Sequence, residues 1–145
     1  MRLVMQNYKK KLQEYLRLFV RDILRDVIKH GLQGEQHLYI AFSTKHPNVS
    51  IPDSFKEKYP KTMTIVLQNE FENLEISNQG FSVNLTFSGI KYDISVPFNA
   101  LMYITDPSDN FSLEFSPDLK EIPNIDEIDV KGKIIYFDPH LYSKL

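Results

Sequence analysis

The sequence has no cysteine, only four histidines and five glycines, no excess of positive charge and no long apolar run. Each shortage removes a class of function. Without cysteine there are no disulfides, thiol nucleophiles or thiolate metal sites, and the chain suits a reducing compartment. The few glycines form no phosphate-cradling loop, and no nucleophile motif stands beside a histidine. His37 and His46 bracket an apolar run and could in principle join Asp53 at a metal, but surface or hydrogen-bonded histidines are far commoner in such a setting; no cofactor and no metal are expected. A formal charge of −2 lacks the basic surplus of a generic nucleic-acid binder. No stretch approaches the roughly 18 uncharged apolar residues of a membrane span. Lys9, Lys10, Lys11 and Glu14 interrupt the start where a signal peptide would need an apolar core, so no export is expected.

What remains is a chain of 145 residues, enough for one core with appended segments. From about Leu3 to His30 the apolar residues Tyr8, Leu12, Tyr15, Leu16, Phe19, Ile23, Leu24, Val27 and Ile28 follow helical spacing. Gly31 after Lys29 and His30 ends the segment. Such a helix of roughly 28 residues, about 42 Å at 1.5 Å per residue, is longer than its own domain can cover. Part of its stripe should meet a second subunit, with Leu12, Tyr15, Leu16, Phe19 and Ile23 as the candidate interface.

The period then changes to two. The segments 37–42, 63–67, 73–76, 81–87, 92–96 and 111–115 read as strands. Asn78-Gln79-Gly80 and Ser88-Gly89 punctuate hairpins, while Pro47, Pro52 and Pro60 mark a long irregular connection. Phe98, Leu101, Met102 and Ile104 favour a short helical turn before the last strand, with strand as the alternative. The predicted fold class is mainly β with a long N-terminal helix (α+β): a small antiparallel barrel or sandwich.

Beyond Ser116 the composition shifts. Asp118, Glu121, Asp126, Glu127 and Asp129 predict a solvated tether, followed by an apolar cluster at Ile134-Ile135-Tyr136-Phe137 and Leu141-Tyr142. The expected organisation is a helix over 1–31, a β domain over 32–116, a flexible linker over 117–131 and a disordered terminal tail over 132–145.

An ordered set of short motifs carries a resemblance: His37-Leu-Tyr-Ile-Ala-Phe, Lys45-His-Pro-Asn-Val, Ile51-Pro, Tyr59-Pro, Met63-Thr-Ile-Val-Leu-Gln68, Phe81-Ser-Val-Asn-Leu-Thr-Phe-Ser-Gly89, Val96-Pro-Phe, Asp106-Pro and Phe115. In this order they resemble the stringent starvation protein B family, in particular its alphaproteobacterial branch. The resemblance implies a cytoplasmic, homodimeric, non-enzymatic adaptor that binds the ssrA degradation tag and delivers tagged polypeptides to the ClpXP protease. It implies a dimerisation helix at the N-terminus. It also implies that Ile134, Ile135, Phe137, Asp138 and Leu141 dock on the ClpX unfoldase, although Pro139 and Leu145 depart from the family's ending.

An unstructured tag is naturally captured extended, through main-chain bonds and pockets for alternate side chains. Gln68 is the candidate for bonding tag amides, and Val83, Leu85, Phe87, Phe98 and Leu101 are candidates for an apolar floor. Alternation places Phe81, Val83, Leu85 and Phe87 on one strand face and Asn84 and Thr86 on the other; period two does not say which face is core and which lines a groove. Two other readings stay open. A small β-barrel could bind RNA, but the basic residues Lys9 to Lys11, Arg17, Arg21 and Arg25 gather on the helix rather than among the aromatics. The helix could lie on a membrane, but Glu14, Asp22 and Asp26 favour a protein partner.

Overall fold

The computed structural model describes residues 7–68 and 71–120. Helix α1 spans Tyr8–His30. Its start is fixed by Asn7, whose side chain accepts the Lys10 N–H at 3.2 Å, satisfying one of the donors a helix leaves open at that end. Its end is fixed by Gly31, at φ 72° with its N–H on the Val27 carbonyl. At 23 residues the described helix is about 34 Å long, shorter than the roughly 28 residues expected, because Asn7 caps it just before Tyr8.

The strands that follow are β1 (Leu38–Ser43), β2 (Thr62–Leu67), β3 (Glu72–Ile76), β4 (Gly80–Phe87), β5 (Ile90–Pro97), β6 (Leu101–Asp106) and β7 (Phe111–Glu114). They form two antiparallel sheets, ordered β2-β1-β6-β7 and β3-β4-β5. The sheets face each other as an open sandwich rather than a closed barrel. Two regions differ from the sequence expectation. The proline-marked connection contains a short helix, α2 (Asp53–Lys58). The expected helical turn covers only Phe98–Ala100; Leu101 to Asp106 is strand β6, paired on both sides.

The cause of that second misreading is visible in the register. Ala41 pairs with Tyr103 but Phe42 with Leu101, so Met102 is an extra residue in the strand. Such a bulge lets Leu101 and Ile104, three apart, both enter the core, which imitates helical spacing.

The core joins the inner rows Leu38, Ile40, Phe42, Met63, Ile65 and Leu67 to Phe81, Val83, Leu85, Ile94 and Val96, closed on one side by Val20, Leu24 and Val27 of α1. The face of β4 is thereby decided: Phe81, Val83 and Leu85 point inward, while Ser82, Asn84 and Thr86 lie outside. Gly80 sits where a side-chain carbon would collide with the Val96 carbonyl and Pro97 Cα, so the β4–β5 pairing there requires glycine. At the other end of that hairpin Ser88 and Gly89 both have positive φ, 51° and 80°, the two-residue turn whose twist matches the strands.

Candidate peptide-binding site

Two open sheets have four outer edges, and an edge is where an extended peptide can add as a strand. Two of them are held by the protein's own groups and a third is distorted by a bulge. Along β7, the Gln13 side chain donates to the Glu114 carbonyl at 3.3 Å and accepts from the Ser116 N–H at 3.0 Å. On β5, Ser50 and Ser95 exchange both backbone hydrogen bonds, each 2.9 Å. On β3 the register breaks between Glu72 and Glu75, Asn73 sits at φ 54°, and its side chain turns to Asn84; a bulge of this kind bends an edge away from partners.

The fourth edge is β2, where no described group pairs on the outer side. Its hydrogen-bonding phase follows from Thr44, whose N–H bonds the Lys61 carbonyl at 3.0 Å. Residues 44 and 61 continue the β1–β2 register, so in the antiparallel alternation Met63, Ile65 and Leu67 turn their main-chain groups to β1. Thr62, Thr64 and Val66 turn theirs outward. Their side chains complement this: Met63, Ile65 and Leu67 are buried, Thr62 and Thr64 exposed and Val66 half-buried. Gln68 stands exposed where the strand ends, its carbonyl accepting from the Phe71 N–H at 3.4 Å.

The connection from β1 to β2 brings α2 into an aromatic cluster with the β4–β5 hairpin. Phe55 of α2 meets Phe87 edge-on at 5.2 Å and Tyr92 at 4.8 Å between ring centres; all three rings are half-buried. The chain then returns to β2 past Tyr59, whose carbonyl accepts the Thr44 hydroxyl at 2.7 Å.

Of the residues named from sequence, Gln68 is exposed at the end of the free edge and Phe87 belongs to this cluster. Val83, Leu85, Phe98 and Leu101 lie together in the core, so they form the layer beneath any surface groove. On α1, Leu12, Tyr15 and Phe19 are exposed while Leu16 and Ile23 are half-buried against the core. The stripe thus divides: Val20, Leu24 and Val27 are buried in the domain, while Tyr8, Leu12, Tyr15 and Phe19 stay exposed, Phe19 meeting the Phe111 ring of β7 edge-on at 6.0 Å between centres. Ile134, Ile135, Phe137, Asp138 and Leu141 lie outside the described residues, as does the linker beyond Lys120. Phe55, Tyr92 and Gln13 were not among the sequence candidates. Tyr92 continues the Ile94 and Val96 alternation and could have been found by it; Phe55 and Gln13 carry no periodic signal.

Electrostatics at the site are mild. His46, in the loop after β1, is buried, and its Nδ1 accepts the Asn48 N–H at 3.0 Å, which leaves the ring proton on Nε2. Burial pushes its pKa down, only partly opposed by Asp118. Burial alone would raise the Asp106 carboxyl, but the Ser108 hydroxyl, the Gln36 amide and two backbone N–H groups prevail and hold it below the usual carboxylate range. Among the described residues no three His, Cys, Asp or Glu side chains gather as a metal site, and no helix is long and apolar enough to cross a membrane.

The family model described as Stringent starvation protein B matches residues 10–133. That span holds the described domain from the first turn of α1 onward. No curated protein matches the chain.

Proposed function

Since the chain belongs to the stringent starvation protein B family, a family of adaptors rather than enzymes, we propose that it captures the ssrA degradation tag as an added strand on β2 and delivers tagged polypeptides to ClpXP. The observation that carries this reading is the open edge itself. The protein's own groups hold the β5 and β7 edges, a bulge distorts the β3 edge, and the remaining edge ends at Gln68.

In this account the outward main-chain groups of Thr64 and Val66 supply generic affinity for an extended peptide. Gln68 bonds a tag amide, and the half-buried Phe87, with Phe55 and Tyr92, offers an apolar contact. Val83, Leu85, Phe98 and Leu101 act from beneath, holding the sheets rigid so that the edge is preorganised. The exposed α1 stripe of Tyr8, Leu12, Tyr15 and Phe19 packs against a second copy, burying side chains that are between 39% and 67% exposed in the isolated chain. Ile134, Ile135, Phe137, Asp138 and Leu141 dock on ClpX in the cytoplasm. A flexible linker of about 16 residues spans roughly 20–24 Å and holds a bound substrate near the protease at effective concentrations towards the mM range. Weak docking is then sufficient, and two tails per dimer add avidity.

The direct test is titration of a fluorescent ssrA-type peptide into the intact protein and into Gln68→Ala, followed by degradation of a tagged substrate by ClpXP with the intact chain or one ending at Lys131. The expected result is saturable binding that Gln68→Ala weakens, and stimulation of degradation that the shortened chain loses while still binding peptide. Equal stimulation by both chains would remove the docking role of the tail.

A further inference from the structure

The root of the C-terminal tail is held by the same helix that carries the exposed stripe. Gln13 bonds both sides of Phe115, donating to the Glu114 carbonyl and accepting from the Ser116 N–H. Its amide thereby stands in for a neighbouring strand. Arg17, one helical turn later, donates to the Ser116 carbonyl at 2.9 Å and lies over the Phe115 ring, 5.7 Å from its centre. From the other side, the Phe115 N–H bonds the Met102 carbonyl at 2.8 Å and the Asp118 N–H bonds the Asn99 carbonyl at 2.9 Å. Phe115 is buried between them.

We infer that Gln13 and Arg17 are a clamp that fixes where the tail leaves the domain, so that the free tether begins after Asp118 rather than at the end of β7. At 100° per residue, Gln13 and Arg17 share a helix face about 150° from the centre of the Tyr8, Leu12, Tyr15 and Phe19 stripe. The exposed stripe and the tail root therefore lie on different faces of α1, and a partner seated on the first does not cover the second. Arg17 suits the task because burial disfavours its charge, lowering its pKa despite Asp118 and Glu14, and a guanidinium so placed is held by its carbonyl and ring contacts rather than by water.

The consequence for delivery rests on the tail-docking role proposed above. Release of the clamp adds residues 115–118 to a free tether of residues 119–131. With effective concentration falling as roughly the −3/2 power of length, the concentration of adaptor giving half-maximal delivery rises about 1.5-fold.

The test uses the full chain carrying Gln13→Ala and Arg17→Ala together, with a wild-type chain bearing four Gly/Ser residues inserted after Lys120 as the comparison. Hydrogen exchange should show the amides of Ser116 and Asp118 exchanging at least tenfold faster in the double variant but not in the insertion chain. Exchange in β1, β4 and β5 and the affinity for tag peptide should be unchanged in both. Both chains should show the same modest loss of delivery. Unchanged exchange at Ser116 overturns the clamp, as does a double variant that delivers like wild type while the insertion chain does not. If no chain stimulates degradation at all, it is the docking role that fails, and the exchange data still decide the clamp.

Discussion

Ser50 and Ser95 exchange two backbone hydrogen bonds of 2.9 Å across the outer side of β5. This single bridge removes β5 as a landing strip for another strand. With Gln13 along β7 and the Asn73 bulge in β3, it leaves β2 as the accessible edge among the described residues, and the alternation along β2 makes that claim testable residue by residue. Proline lacks an N–H and is tolerated only where that group faces away from the ladder. Val66→Pro is therefore expected to fold and to lose tag binding, with a change of at least tenfold in peptide Kd. Ile65→Pro, whose N–H serves β1, should lower the melting temperature sharply. Peptide titration and thermal melts separate the two, and normal tag binding by a folded Val66→Pro protein would move the site off this edge.

The division of the α1 stripe gives a second expectation. Leu12→Asp with Phe19→Asp should shift the protein from dimer to monomer by light scattering, with tag affinity per subunit unchanged. Val20→Asp, which places a carboxylate in the core, should instead abolish folding at a cost of several kcal/mol. A double variant that stays dimeric places the interface elsewhere.

The aromatic cluster predicts a coupling. Phe55→Ala and Phe87→Ala should each destabilise the domain by about 2 kcal/mol, less than for fully buried rings. Because the rings meet edge-on, the double variant should fall short of additivity by about 1 kcal/mol. Urea denaturation of the four proteins measures the cycle, and strict additivity would dissociate α2 from the β4–β5 hairpin.

Much of this architecture was legible in the sequence. The helix, its Gly31 stop, the hairpin turns at Asn78 to Gly80 and Ser88-Gly89 and six of the seven strands follow from local periodicity and turn chemistry. Strand β6 did not, because the bulge at Met102 converts a period of two into an apparent period of three. Helix α2 was hidden by its prolines, one of which, Pro52, occupies its N-cap position. The face of β4 was undecidable locally, since which row is inside depends on the opposing sheet. For the same reason Val83 and Leu85 could be named as important without being placed beneath the surface. Gln13 was unreadable in principle: its partners, Glu114 and Ser116, are about a hundred residues away along the chain.

The buried titratable groups set an acid limit. Unfolded His46 takes up a proton below its ordinary pKa of 6.5 while the folded ring, its pKa lowered, resists, so stability should decline as pH falls below about 6.5. Asp106, held below its ordinary 3.8, contributes stability above that value that is lost as pH falls through the folded pKa. His46→Asn should flatten the first decline and Asp106→Asn the second, as read from urea midpoints followed from neutral pH into acid. A decline near pH 6 that persists in His46→Asn would assign it to another group.

The central claim is that this domain holds a degradation tag. Fluorescence anisotropy of a labelled ssrA-type peptide, titrated with the intact protein, tests it most directly. The account predicts saturable binding at one peptide per subunit, weakened at least tenfold by Gln68→Ala, a change of about 1.4 kcal/mol or more. Absence of binding by the intact chain at concentrations where it is folded would contradict it.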